Sequence, residues 1–249
     1  MVLADRLGSL VPSLIPGSKA LVVLPILERL CGVEETVVRD KAVESVRSII
    51  PLMIPSESWT EEDREAAAGA PSFLLSMVKR LAGAEWFTSK VSAAGILPVI
   101  YRYYNGASAT GNAAPHAEGV AGHDQNRREL RSLYRDLCED DAPMVRRGAG
   151  RNLGALAEAV ADLPGTASEL YAYPEKCLSS AASDPKVRRA VVEEVVPMLR
   201  GLSGDEQDSV RLLAVVGAGG VGCALGMDPE LTSELVFPIV RAGCADLSW

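Results

Sequence analysis

A repeated frame limits what this chain can fold into. It opens at Pro25, Ser76, Ser132 and Pro197, and two positions later an apolar or aromatic residue follows: Leu27, Val78, Tyr134 and Leu199. Leucine stands five positions after each start, at Leu30, Leu81, Leu137 and Leu202. Fourteen positions after it comes a basic residue, Arg39, Lys90, Arg146 or Arg211, and three further on an alanine, Ala42, Ala93, Ala149 or Ala214. A fifth copy opens at Pro238 with Val240, and its basic position would fall beyond Trp249. Self-similarity at this period is the mark of a stacked-repeat architecture, in which no unit buries its apolar face alone.

Each copy divides into two helices. In the first, one helix runs from about Ala20 to Cys31, and the second places Val38, Ala42, Val46, Ile49, Ile50 and Met53 on one face at helical spacing. Asp40, Lys41, Glu44 and Arg47 line the opposite face. The third copy repeats the pattern with Leu130, Leu133, Tyr134 and Leu137, then Val145, Ala149, Leu153, Leu156, Ala157 and Val160. The alanine column allows close helix approach, and the basic residue before it can cover apolar neighbours with its stem while its head stays in water. The expected fold is all-α, with 1–249 forming one array of antiparallel helix pairs. Its parts are a partial repeat over 1–17, repeats over about 19–54, 70–104, 126–161 and 190–226, and a truncated repeat over 228–249.

The turns inside the pairs are short and carry capping residues and acid: Glu34 to Thr36, Glu85 to Thr88, Asp140 to Pro143, and Asp205 to Ser209. Asp, Thr and Ser accept bonds from free N–H groups at a helix start, and Pro143 suits a first helical position. Between the repeats, the basic column is spaced by 51, 56 and 65 residues, so long connections are expected over 51–69, 104–126 and 162–190. The second, rich in Gly and Ala, reads as a flexible excursion. The third contains Asp184 to Arg189, which imitates the start of a second helix and predicts a short additional one.

Composition excludes several classes. A net charge of −8 repels phosphate backbones and anionic lipid, and no stripe of Lys and Arg offsets it, so neither nucleic acid nor membrane is an expected partner. Five scattered cysteines, Cys31, Cys138, Cys177, Cys223 and Cys244, contain no CxxC pair and predict reduced, buried thiols rather than disulfides or zinc. Asp5 and Arg6 stand where a signal peptide would be apolar, and the uncharged run from Leu212 to Met227 is too short and Gly-rich to span a bilayer. The expected location is the cytoplasm, with the nucleus also open to the protein.

The stretches EETVVRDKAVESVRSI (34–49), VKRLAGAEWFTSKVSAAG (78–95), DDAPMVRRGAG (140–150) and DEQDSVRLLAV (205–215) resemble consecutive HEAT repeats of the scaffolding A subunits of protein phosphatase 2A. The start, LADRLGSLVPSLIPG, resembles the second helix of that family's second repeat, and RAGCADLSW the beginning of its seventh. The resemblance implies a right-handed α-solenoid from the N-terminal half of a longer array, with no enzymatic activity and no cofactor. It also implies that the intra-repeat turns bind an interchangeable regulatory, B-type subunit, while the catalytic subunit sits on C-terminal repeats outside this sequence. Carried over by position, the partner-binding residues are Glu34, Glu35, Thr36, Glu85, Trp86, Phe87, Thr88, Asp140, Asp141, Pro143, Met144, Arg146, Arg147, Asp205, Glu206, Gln207, Asp208, Ser209 and Trp249. The long connections depart from HEAT-type spacing, which is roughly 40 to 47 residues.

Other motifs compete with this reading. Gly217, Gly219 and Gly222 satisfy GxGxxG after an apolar run, the pattern of a dinucleotide-binding turn. No βαβ alternation surrounds them, and Val210, Leu213, Ala214 and Val221 keep a helical face in phase with the repeat, so a glycine-weakened helix is the expectation. His116 and His123, with Glu118 and Asp124, fall in the Gly/Ala-rich connection, where a loop would not fix a metal's geometry. Trp86 and Phe87 either staple their helices together or anchor a partner, and the acidic turns are either solvated caps or a negative edge suited to Lys and Arg. A generic helical-repeat transport adaptor would differ from a phosphatase scaffold only in its cargo.

Overall fold

The computed structural model describes residues 2–109, 119–163, 185–226 and 228–248, and every regular element in them is helical. They fall into two compact units, Met1–Leu133 and Tyr134–Trp249.

The first unit contains α1 (Val2–Ser13), a 3₁₀ turn Gly17–Val22, α2 (Leu24–Cys31), α3 (Thr36–Ile49), a 3₁₀ turn Ile50–Met53, α4 (Glu61–Ala67), α5 (Ala70–Ala82), α6 (Phe87–Ala109) and most of α7 (Gly119–Cys138). Pro25 and Pro71 sit in the first turns of α2 and α5, where a missing N–H costs nothing, and Gly32 and Gly83 end the same two helices. The helices pair as α2 with α3 and α5 with α6, and α3 stands between α1 and α6. The core takes in much of the face the periodicity marked, Leu27, Ala42, Val46, Ile49, Ile50, Met53 and Ala93, and adds Leu74, Met77, Leu97, Ile100 and Tyr104, whereas Val38 and Leu30 are half-buried. Truncating one such leucine or isoleucine to alanine costs about 2–5 kcal/mol, since the site collapses only in part.

The second unit holds the end of α7, α8 (Pro143–Val160), α9 (Pro185–Ala190), one π-helical stretch Val191–Val195, α10 (Val196–Ser203), α11 (Asp208–Ala224), α12 (Pro229–Leu235) and α13 (Phe237–Cys244). Its most extensive contact is α8 against α11. Glycines make that contact possible: a Cβ built on Gly220 would lie 2.6 Å from the Cα of Gly154 and 2.7 Å from its carbonyl oxygen. The two backbones meet where a side chain would otherwise separate them.

The connections differ from the expected excursions. Residues 51–69 fold: Thr60 and Asp63 form a reciprocal capping box at the start of α4, and Ser18 donates to Asp63 at 2.6 Å. Within 104–126, α6 continues to Ala109 and α7 begins at Gly119, so His123 and Asp124 are helical rather than on a loop. His116 and Glu118 lie outside the described residues. The additional helix expected at 184–189 is α9, and it runs through the π-helical stretch into α10, so it extends the first helix of its repeat. The remainder of that connection, with Cys177, lies outside the described residues.

Candidate partner-binding turns

The three arginines of the basic column organise their turns. Arg39 Nη1 donates to the carbonyls of Val33 (3.3 Å) and Glu34 (3.2 Å), Arg146 Nη1 to those of Asp140 (2.9 Å) and Asp141 (3.1 Å), and Arg211 Nη1 to those of Asp205 (2.9 Å) and Glu206 (3.1 Å). The acceptors always lie six and five positions before the arginine. One guanidinium therefore ties down two carbonyls of the turn that follows the first helix of the pair. The head of Arg39 is not in water, contrary to the expectation for this column, since the residue is only 8% exposed; Arg146 and Arg211 keep part of theirs at the surface.

In the second unit the other edge of each guanidinium reaches the next repeat. Arg146 Nε and Nη2 donate to the two oxygens of Asp205 at 2.6 and 3.1 Å, and Arg211 Nε donates to Asp246 at 2.7 Å. Each of these aspartates also accepts the N–H two residues on, from Gln207 (2.9 Å) and Ser248 (3.0 Å). Burial raises the Asp205 carboxyl's pKa, but the Arg146 and Gln207 hydrogen bonds and the charges of Arg146 and Arg211 outweigh it and hold it below the usual carboxylate range. The hydrogen bonds from Arg211 and Ser248 hold Asp246 lower still.

In the first unit, contact between neighbouring turns runs through Thr88, whose hydroxyl donates to the Gly32 carbonyl at 3.3 Å, and Ser92, which donates to the Cys31 carbonyl at 2.7 Å. Arg80 makes a bidentate pair with Glu28 at 2.7 and 2.8 Å.

The sequence-predicted site residues thus separate into two sets. Thr88, Arg146 and Asp205 join repeat to repeat, and Thr36 accepts from Arg39 Nη2 at 3.3 Å. Asp140 and Ser209 are half-buried, and Asp140 accepts the Ala142 N–H at 2.9 Å. The tips face outward: Glu34, Glu35, Glu85, Trp86, Phe87, Asp141, Pro143, Met144, Arg147, Glu206, Gln207 and Asp208 are all exposed. Trp86 is 68% exposed and Phe87 42%, so the stapling reading of this pair fails. Trp249 lies outside the described residues.

No family model matches the chain. It is 34% identical over 239 residues, 96% of its length and 31% of the relative's, to a probable serine/threonine-protein phosphatase PP2A regulatory subunit of Caenorhabditis elegans. It is 31% identical over 247 residues, 99% of its length and 32% of the relative's, to the regulatory A subunit of protein phosphatase PP2A from Schizosaccharomyces pombe. This chain is a homologue of the protein phosphatase 2A regulatory A subunits. A third such relative, the alpha isoform of the 65 kDa regulatory A subunit from Arabidopsis thaliana, is 40% identical over 160 residues, 64% of this chain and 22% of its own. The chain spans about a third of the length of the first two relatives.

The A-subunit family's helical repeats account for the motif that suggested a cofactor. Gly217, Gly219 and Gly222 lie inside α11, with no strand before them, so the strand–turn–helix that cradles a pyrophosphate is not formed. Cys31, Cys138 and Cys223 are buried free thiols, Cys31 pushed up to about 12 by burial, whereas Cys244 is exposed, against expectation. Among the described residues no three His, Cys, Asp or Glu side chains gather as metal ligands, and no helix is long and apolar enough to cross a membrane. Asp246 and Ser248 were missed as residues that hold Arg211, although the sequence carried a signal: Asp140, Asp205 and Asp246 occupy one column of the repeat, six positions before its basic residue.

Proposed function

We propose that the chain is a non-catalytic scaffold segment that binds a regulatory, B-type subunit of a protein phosphatase 2A-type serine/threonine phosphatase through its exposed turn tips. The observation that carries this reading is the aromatic pair Trp86 and Phe87, turned outward on a tip held by Thr88, beside Glu85. Exposing that much aromatic surface without a partner is unfavourable, and tryptophan is the residue most often found at the energetic centre of an interface. The relatives' names, all regulatory subunits of protein phosphatase 2A, support phosphatase subunits as the partner class, and the choice of the B-type subunit is what the resemblance of the turns implies. The catalytic subunit is held by repeats beyond this segment. The fasteners Arg146, Asp205 and Thr88 contribute by fixing where the tips stand rather than by touching the partner.

Replacing Trp86 with Ala in the full-length protein is expected to weaken B-type subunit binding at least about tenfold with unchanged helical circular dichroism. Equal affinity of a folded Trp86→Ala variant would refute the role given to this tip.

A further inference from the structure

The unequal treatment of three equivalent arginines marks a binding site between the first two turns. Arg39, Arg146 and Arg211 hold their own turn in the same way, by Nη1 bonds to the carbonyls six and five positions back. For Arg146 and Arg211, Nε then meets the aspartate of the next repeat, Asp205 or Asp246. At the corresponding position of the second copy the chain has Ala84. Arg39 Nε is accordingly buried with no hydrogen-bond partner among the described residues, on a side chain only 8% exposed. A guanidinium N–H withdrawn from water without an acceptor is unfavourable, and the cost is removed by any carboxylate that reaches it.

The aspartates of the other turns show what such a carboxylate would bind. Asp205 accepts from Arg146 and from the N–H of Gln207, the residue immediately before α11. The residue in that place before α6 is Trp86. We infer that a docked protein partner supplies the missing aspartate, inserting an Asp or Glu side chain over Ala84 so that its carboxylate accepts from Arg39 Nε and the Trp86 N–H. The exposed Glu34, Glu35 and Glu85 around this point require the rest of the inserted segment to be basic. The site thus selects one acidic side chain flanked by Lys or Arg, and the Trp86 ring is the wall against which that segment packs. This inference rests on the scaffold reading above and adds to it the chemistry of the contact.

Ala84→Asp places the carboxylate within the chain itself and so competes with the partner's. In the full-length protein it is expected to raise the melting temperature and to lower the affinity for a purified B-type regulatory subunit at least about tenfold. Ala84→Ser, which adds similar bulk without charge, is expected to leave the affinity within about twofold. Wild-type affinity in the Ala84→Asp protein overturns the inference and leaves the scaffold reading standing, because the partner would then make no use of Arg39 Nε. An equal loss in Ala84→Ser overturns it as well, since the effect would be steric. A lower melting temperature for Ala84→Asp overturns the placement of Arg39 Nε opposite position 84. Complete failure of the wild-type protein to bind the B-type subunit overturns the scaffold reading, and this inference with it.

Discussion

Asp205 was visible in the sequence as an acidic residue in a turn, and charge in a turn is usually solvated. What made it a fastener is its distance from Arg146, a residue 59 positions earlier, and no local pattern reports such a pairing. The repeat did hold the information in another form, since the Asp column and the basic column are both legible once the copies are aligned. The physical consequence is measurable. Asp205→Ala leaves Arg146 Nε, on a side chain 13% exposed, without its carboxylate, and is expected to destabilise the second unit by about 1–3 kcal/mol in denaturant titrations. The pH dependence has a definite sign. Asp205 and Asp246 are both depressed in the folded state, so their stabilisation is complete above the unfolded carboxylate pKa, near 4, and is lost as pH falls through the lower folded values. Melting temperatures recorded from neutral pH downward should therefore drop more steeply below about pH 4 for the wild type than for Asp205→Asn.

Helices α2, α3, α5, α8, α10 and α11 follow from apolar spacing, from proline in a first turn, as at Pro25 and Pro197, and from the glycines that end α2, α5 and α10. The connections were less legible because their order depends on contacts outside the segment: α4 is fixed by its own capping box but docked by Ser18, 45 residues away. Glycine shows most clearly how context decides. By propensity alone, every helical glycine weakens its helix, which was the expectation for Gly217 to Gly222. In α11, Gly220 instead allows contact with Gly154, whereas at Gly201 in α10 nothing lies within 4 Å of the place a methyl group would take. The same substitution is thus expected to act in opposite directions. Gly220→Ala should destabilise by about 1–3 kcal/mol by forcing α8 and α11 apart, and Gly201→Ala should stabilise by about 0.4–1 kcal/mol. Urea midpoints of the two variants, measured side by side, check both signs.

Within each unit, stacked helices spread stability through neighbour contacts, so an element's protection depends on the element next to it rather than on its own sequence. The all-helical fold was legible because each copy repeats the same instruction, whereas the grouping into two units was not, since it depends on how tightly particular neighbours interlock. In the first unit α1 covers one face of α3, and the fit is close: a Cβ on Gly8 would fall 2.4 Å from the Ser45 hydroxyl oxygen. Leu7 and Val11 are buried. Taking α1 away would return Ser45 and the apolar surface of α3 around it to water, at roughly 25 cal/mol for each Å² of apolar area exposed. Deleting residues 1–13 is therefore expected to speed amide hydrogen exchange most in α3 and less in α6, with the loss falling off from neighbour to neighbour within the first unit. Uniform acceleration across all helices of the first unit would mean that this unit opens as one cooperative body. Unchanged exchange in α3 would mean that its stability comes from α2 and α6 alone, and that neighbour stacking contributes little at this end.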